Sequence, residues 1–284
     1  MNRGIKVLSI FDGISCGRVA LERVGINIEV YHAYEIDKNA IKVSRDNYPD
    51  IVHFGDVRQC SGSEYNKENF DLLIGGSPCQ DLSIASSLGK GLSGKKSSLF
   101  FEYLRIRDDM NPKYFLYENV ASMKKEDRDI ITDYLGVEPI MIDSALVSFQ
   151  HRKRLYWTNI PNVTQPEDKY ISFQDHKSSG DLSIFKVNKT PSREKMWNGA
   201  CPNVTNRDKI NCLTVKQDRW GNAGLVEYED FCRYLTNEEC ELAQTLPIGY
   251  TKSVSKNARW HGVGNGWTID VIAHIFKGLE DEIL

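Results

Sequence analysis

The sequence lacks several features that define whole classes of protein. No run of 18 apolar residues occurs in the 284-residue chain, which argues against helices that span a membrane. The first residues, MNRGIKVLSIFDG, turn polar too soon for a secretory signal, so we expect a cytoplasmic protein. No repeat or low-complexity tract is present. The net charge of −3, from 36 basic and 39 acidic residues, excludes a histone-like polycation but allows a local basic patch.

The sequence also lacks the cysteine patterns of disulfide-linked or zinc-binding proteins. The seven cysteines are odd in number, and none stands in a CxxC motif or at metal-ligand spacing from a histidine. This pattern predicts neither a disulfide scaffold nor a zinc site, so no metal is expected. Six of the seven fit small buried side chains. Cys79 is the exception, because it stands between Pro78 and Gln80 directly after a predicted strand.

The apolar pattern of the N-terminal half alternates short apolar runs with amphipathic stretches. The predicted strands are Lys6–Phe11, Glu29–Glu35, Ile51–Phe54, Phe70–Ile74, Tyr114–Glu118, Pro139–Ile142 and Leu155–Trp157. The predicted helices are Gly17–Arg23, Lys38–Asn47, Leu99–Asp109 and Lys124–Leu135. This order predicts an α/β fold whose mostly parallel sheet has helices on both faces. Ligands of such sheets bind beyond the carboxyl ends of the strands.

The C-terminal half has a different pattern. Residues from about 159 to 230 are irregular and polar, with scattered aromatics, which predicts a small loop-rich insertion. Thr236 and Glu239 then have the spacing of a capping box, ahead of a helix ended by Pro247. A last helix is predicted from about Thr268 to Leu279. We therefore predict an α/β domain over 1–158, an insertion over 159–230, and a segment over 231–284 that returns to the main domain.

The loop after the first strand has the position of a nucleotide-binding turn. Its sequence runs from Phe11 to Gly17, with Ser15 where the glycine fingerprint has its middle glycine. An incomplete fingerprint suits a nucleoside cofactor better than a pyrophosphate. Glu35, after the second strand, suits ribose hydroxyls, and Asp56, after the third, suits an adenine amino group. On these residues alone, a tight turn with ordinary loop acids stays an open alternative.

Three further loops bring chemical groups towards Cys79. Glu118 ends the strand after Tyr117, which places a carboxylate at the same sheet edge. Arg152 and Arg154 precede a strand, where alternation puts both guanidinium groups on one face; there they would favour a thiolate. Residues 86–98 contain three glycines, five serines and three lysines but no acid, which predicts a mobile, positive loop. The alternatives are a buried thiol and a solvated basic strand start.

Five ordered motifs resemble those of the DNA cytosine-5 methyltransferases. They are Phe11-Asp12-Gly13, Ser77-Pro78-Cys79-Gln80, Glu118-Asn119-Val120, Gln150-x-Arg152-x-Arg154 and Gly264-Asn265-Gly266. Residues 233–247 look like the penultimate motif of that family. The resemblance covers nearly the whole chain except about 159–230. The motifs look closest to those of the eukaryotic de novo branch, while a lone catalytic module of this length resembles bacterial or phage enzymes. It therefore suggests a bacterial or phage-infected cell. Ser15 and Cys16 depart from the commoner Gly-Gly.

The resemblance implies a Rossmann-like class I methyltransferase fold. It also implies transfer of a methyl group from S-adenosyl-L-methionine to carbon 5 of a flipped-out cytosine in double-stranded DNA. The Cys79 thiolate would add to carbon 6, and Glu118 would hydrogen-bond ring nitrogen 3 through a protonated or proton-sharing carboxyl group. Arg152 and Arg154 would hold Cys79, Glu118 and the base oxygen in register.

The resemblance also assigns residues to the cofactor and to DNA. The implied cofactor contacts are Phe11, Asp12, Gly13, Ile14, Glu35, Ile36, Asp56, Val57, Pro78, Leu99, Asn265 and Trp267. The implied DNA contacts are Gln80, Ser83, Lys90, Lys95, Lys96, Arg193, Arg207, Lys209 and Arg219, with 159–230 as the target-recognition region. Two alternatives stay open: the same chemistry on tRNA, and a catalytically silent DNA-binding relative. The presence of both Cys79 and Glu118 argues against the second.

Overall fold

The strands of the protein form two sheets. The computed structural model describes residues 3–78, 99–180, 182–188, 203–218, 222–229 and 231–280. The strands of the larger sheet are β1 Ile5–Ile10, β2 Ile28–Tyr34, β3 Val52–Phe54, β4 Leu72–Gly75, β5 Tyr114–Val120, β6 Ile140–Asp143 and β7 Lys153–Thr158. The smaller sheet contains β8 Lys186–Val187, β9 Leu225–Glu227 and β10 Cys232–Tyr234. The strand orders are β3-β2-β1-β4-β5-β7-β6 and β8-β10-β9.

Helices alternate with the strands of the larger sheet and then follow the smaller one. They are α1 Cys16–Arg23, α2 Lys38–Asn47, α3 Gly62–Lys67, α4 Leu99–Met110, α5 Lys125–Leu135, α6 Asn237–Ala243, α7 Lys256–Asn265 and α8 Ile269–Phe276. None of the helices in the described ranges is long and apolar enough to cross a bilayer. The start of α6 has the predicted capping box, because Thr236 and Glu239 each bond the other's backbone N–H.

The pairing of the large sheet places the ends of β4 and β5 side by side. Strands β1, β2, β3, β4 and β5 pair in parallel, and β7 runs antiparallel to β5. Every residue of β4 is buried, as expected for a central parallel strand covered on both faces. Gly75 at the end of β4 pairs with Tyr117, so β5 continues beyond β4 at this edge. The prediction of a mostly parallel α/β sheet is therefore confirmed.

The chain divides into two compact units. Unit 1 contains residues 1–142, 153–165 and 272–284, and unit 2 contains 143–152 and 166–271. The large sheet belongs to unit 1 apart from one residue of β6, and the small sheet to unit 2. These units divide the chain at other points than the predicted segments 1–158, 159–230 and 231–284. The division into a main domain, an insertion and a returning C-terminal segment stays a prediction.

Candidate active site

The turn after β1 has an unusual backbone. Phe11, Gly13 and Ser15 all have positive φ, of 57°, 60° and 60°. Only glycine adopts this region without a steric cost, so Phe11 and Ser15 need compensating contacts. Two backbone bonds close the turn, from Asp12 N–H to Tyr34 O (3.1 Å) and from Ser15 N–H to Asp12 O (3.1 Å). The turn is thus fixed at the carboxyl edge of β1, where the sequence predicts a cofactor.

Three hydroxyl groups hold the Asp12 carboxylate inside this turn. Ser9 Oγ and Tyr31 OH donate to Oδ1 at 2.6 and 2.9 Å, and Ser15 Oγ donates to Oδ2 at 2.5 Å. Burial raises the pKa of Asp12 to about 6, although the three hydroxyl groups lower it in part. The result is a carboxylate of fixed orientation, ionised at neutral pH, and suited to a cationic ligand.

Glu35, which follows β2, is held by backbone amides. Its carboxylate accepts the N–H of Gly13 (2.8 Å), Ile36 (2.7 Å) and Asp37 (2.7 Å). The side chain of Ile36 is 74% exposed beside it. An oriented carboxylate next to an exposed apolar side chain fits the ribose hydroxyls and the flat adenine of a nucleoside cofactor.

Asp56 lies two residues after β3, in a tight pair with Arg58. The Arg58 guanidinium and backbone N–H both bond its carboxylate, with Nε at 3.0 Å from each oxygen. These bonds lower the pKa of Asp56, which keeps it an acceptor for an amino group. The side chains of Val57 and Ile14 are 5% and 1% exposed, so their predicted cofactor contacts would come from backbone atoms.

The residues just before Cys79 are tied to β5. Ser77 Oγ and Tyr117 OH are 2.7 Å apart, and Asn119 Nδ2 donates to Ser77 O (3.3 Å) and to Tyr117 OH (3.1 Å). Burial raises the pKa of Tyr117, so the phenol stays neutral. This network fixes the last described residues before position 79, and Pro78 lies half-buried at that end.

Glu118 and Arg154 form an ion pair at the same edge. Arg154 Nε lies 3.0 Å from Glu118 Oε1, and the two side chains are only 14% and 12% exposed. Arg154 pairs in register with Val120, so it is the diagonal cross-strand neighbour of Glu118. The predicted proximity of an arginine and the carboxylate is therefore present for Arg154.

Arg152 makes a different set of contacts. Its guanidinium donates to Leu213 O (3.1 Å), Gly264 O (3.0 Å) and Gly266 O (2.9 Å), and to Cys212 Sγ (3.3 Å). The residue is 4% exposed, and these partners all belong to unit 2. Arg152 directly precedes β7, which begins at Lys153, so the predicted alignment with Arg154 by strand alternation stays a prediction. A role for Arg152 at the base stays a prediction.

Lys209 was predicted to contact DNA, and the structure gives it an internal role. Its ammonium group donates to the carbonyl oxygens of Ala145 (2.8 Å), Ser148 (2.9 Å) and Ile171 (2.9 Å). Because these bonds use all three donors of the ammonium group, none is left for a base or phosphate in this geometry. Burial also lowers the pKa of Lys209. The structure therefore does not support the predicted DNA contact of this lysine.

The remaining predicted residues are distributed over both units or lie outside the described ranges. Arg207 is exposed, and Asn265 is exposed at the end of α7. Leu99 begins α4 and packs on the core of unit 1, and Trp267 is half-buried. The predicted residues outside the described ranges are Cys79, Gln80, Ser83, Lys90, Lys95, Lys96, Arg193 and Arg219.

The sequence analysis did not predict the roles of several residues at the site. Ser9 and Tyr31 hold Asp12, while Tyr117 and Ser77 fix the approach to position 79. The order of strands could have indicated Ser9 and Tyr31, because adjacent parallel strands carry them towards the same turn. No local signal separates Tyr117 from an ordinary core aromatic. Within the described residues, no cluster of three or more metal-binding side chains occurs.

Comparison with known proteins finds a matching family and relatives that are similar in sequence. Residues 5–137 match the family of C-5 cytosine-specific DNA methylases. The chain is 31% identical over 179 residues to the orphan methyltransferase M.Rho11sI of Bacillus phage rho11s, with 59% of the chain and 35% of the relative covered. It is 31% identical over 229 residues to the type II methyltransferase M.FnuDI of Fusobacterium nucleatum, with 75% and 62% covered.

Solved structures show the same fold. The Entamoeba histolytica methyltransferase EhMeth has a TM-score of 0.81 at 17% identity, with 99% of both chains covered. The S. pombe Dnmt2 methyltransferase has a TM-score of 0.74 at 17% identity, with 99% of this chain and 100% of that chain covered. The chain spans between about a third and two thirds of the curated relatives named above. From the family match and these relatives, residues 5–137 are similar to the C-5 cytosine-specific DNA methylases, and the rest of the chain shares the fold of the solved methyltransferases.

Proposed function

We propose that the protein transfers a methyl group from S-adenosyl-L-methionine to carbon 5 of cytosine in double-stranded DNA. The observation that carries the proposal is the Glu118–Arg154 pair, which lies beyond the end of β4 at the edge where the chain continues to Cys79. The match of residues 5–137 to the DNA methylase family and the phage and bacterial relatives support the choice of DNA.

The described residues supply binding and positioning. Glu35 would accept from the ribose hydroxyls, with Ile36 against the adenine and Asp56 accepting from its amino group. Asp12 would face the positive charge of the cofactor. When bound, S-adenosyl-L-methionine supplies an electrophilic methyl group on a sulfonium sulfur. These contacts follow from the carboxylates and the exposed apolar side chain at the ends of β1, β2 and β3.

The reaction also needs a way to make carbon 5 nucleophilic. In the proposed order of steps, the Cys79 thiolate would form a bond to carbon 6, which moves ring electrons to carbon 5. Carbon 5 would then accept the methyl group, and the sulfonium sulfur that loses this group would become a neutral thioether. Glu118, oriented by Arg154, would hydrogen-bond ring nitrogen 3 and stabilise the charge that develops on the ring. Loss of the carbon 5 proton then re-forms the ring double bond and expels the thiolate.

Two assays test the proposal. Bisulfite sequencing of plasmid DNA from cells that express the chain should reveal methylated cytosines in one sequence context, and Glu118→Gln should remove most of the signal. A roughly 10²–10⁴-fold loss of rate is expected if Glu118 acts through proton sharing. Tritium transfer to duplex DNA and to tRNA should favour DNA. Transfer to tRNA alone, or an active Glu118→Gln variant, would contradict the proposal.

A further inference from the structure

A chain of hydrogen bonds connects the Asp12 carboxylate with His53 of β3. Ser15 Oγ lies 2.5 Å from Asp12 Oδ2 and 2.5 Å from Ser44 Oγ, and Ser44 Oγ lies 2.9 Å from His53 Nε2. Ser15 and Ser44 are both fully buried. The chain therefore links the turn after β1 to α2 and to the edge strand β3, all within unit 1. We call these four residues the relay.

Counting protons gives the relay a direction. A serine hydroxyl has one proton, and that of Ser15 goes to Asp12, so Ser44 must donate to Ser15. Ser44 then has only a lone pair for His53, and Nε2 must carry the imidazole proton. The other nitrogen agrees, because Nδ1 of His53 is buried without a partner among the described residues. A bare nitrogen is cheaper to bury unpaired than an N–H group.

The backbone of Ser15 gives a second reason to regard the relay as functional. Ser15 has a φ of 60°, where glycine would be unstrained and any other residue has a steric cost. Only a side chain can provide the bonds to Asp12 and Ser44. The serine at position 15 thus has a strained backbone, but its hydroxyl group orients the Asp12 carboxylate at the cofactor turn.

We propose that Ser15, Ser44 and His53 are positioning residues that keep Asp12 ionised and oriented for the cationic cofactor, so that cofactor affinity depends on the relay. The inference rests on the proposed function, because it assumes that the turn receives S-adenosyl-L-methionine. A proton on Oδ2 of Asp12 would reverse every bond of the relay and leave His53 with a buried, unpaired Nδ1–H. The relay therefore opposes protonation of the carboxylate.

This arrangement predicts how affinity changes with pH. Burial raises the pKa of Asp12 to about 6 and lowers the pKa of His53 to about 4, so Asp12 takes up the proton first as pH falls. The charged and titratable groups facing the relay are Tyr31 within β2, Glu35 directly after β2, and Arg45 of α2. Because only ionised Asp12 attracts the cation, affinity should be about tenfold lower at pH 5 than at pH 7.5.

Calorimetry of S-adenosyl-L-methionine binding between pH 5 and 8 tests the proposal. Ser44→Ala removes the relay without touching the turn, so the midpoint of the pH dependence should move up by about half a pH unit or more. His53→Gln retains a donor to Ser44 and should keep the wild-type midpoint. Ser148→Ala, which removes a buried hydroxyl bonded to Ala243 O, is the matched control. A wild-type midpoint in Ser44→Ala would overturn the proposal.

A second readout does not need the cofactor. Nitrogen-15 NMR of the free protein at pH 7.5 should show His53 as the Nε2–H tautomer, and Ser44→Ala should shift it towards a mixture of tautomers. An Nδ1–H tautomer in the wild type would overturn the relay, whether or not the cofactor binds. Failure of the wild type to bind S-adenosyl-L-methionine, with the Nε2–H tautomer present, would instead count against the proposed function.

Discussion

Replacing Arg152 separates a structural role from a catalytic one. Arg152→Met removes the donor to Leu213 O and Gly264 O, two buried carbonyl oxygens. Gly266 O keeps a partner, because Gln244 Nε2 also donates to it at 3.0 Å. Leu213 O also keeps a weak S–H donor, Cys212 Sγ at 3.5 Å. A buried carbonyl that loses its partner costs about 1–3 kcal/mol, so Gly264 O should lower the free energy of unfolding by about this amount and Leu213 O by less. This is a large fraction of the stability of an ordinary domain.

Urea unfolding, followed by fluorescence, measures this loss directly. Arg152→Lys keeps one charge and should recover part of the stability, whereas Arg207→Met, at an exposed arginine, should change it by less than about 0.5 kcal/mol. Methyl-transfer rates of the folded fraction complete the comparison. If Arg152→Met unfolds like the wild type but has lost its transfer activity, the residue acts on the reaction and the structural account of Arg152 is refuted.

Three other substitutions test separate parts of the structure. Glu35→Ala should weaken S-adenosyl-L-methionine binding by about 1.5–3 kcal/mol by calorimetry, and unchanged affinity in a folded variant would refute the ribose assignment. Gly264→Ala should lower the melting temperature, because the new Cβ would lie 2.4 Å from the backbone oxygen of Thr214; an unchanged melting temperature would refute this close packing. Tyr117→Phe removes the hydroxyl next to Ser77 and should slow methyl transfer with little change in cofactor affinity; a wild-type rate would show that this contact is dispensable.

The large sheet follows closely from the sequence. Its central strands are short apolar runs, and their polar carboxyl ends identify Asp12, Glu35 and Glu118 as neighbours of a common edge. Helix α3 was not predicted, since its sequence GSEYNK has little apolar periodicity. The small sheet was also missed, because strands of two or three residues form through tertiary pairing and leave no local pattern.

The contacts of Arg152 and Lys209 could not be predicted from the sequence pattern. Alternation predicts the facing of a residue only inside a strand, and Arg152 precedes the first residue of β7. A lysine in a polar loop has the same local sequence whether it meets a phosphate or three carbonyl oxygens of its own chain. The relay from Asp12 to His53 joins the turn after β1, α2 and β3, so it emerges only once those parts are assembled.

The central claim, cytosine methylation through a covalent cysteine adduct, is tested most directly by trapping that adduct. A duplex with 5-fluorocytosine at the methylated position, incubated with wild-type protein and S-adenosyl-L-methionine, should give a denaturant-resistant gel shift, because fluorine cannot leave carbon 5 as a cation. Cys79→Ser should bind the duplex through phosphate contacts but form little or no adduct, since a serine hydroxyl is a much weaker nucleophile near neutral pH. An equal adduct with Cys79→Ser, or none with active wild-type protein, would contradict the account.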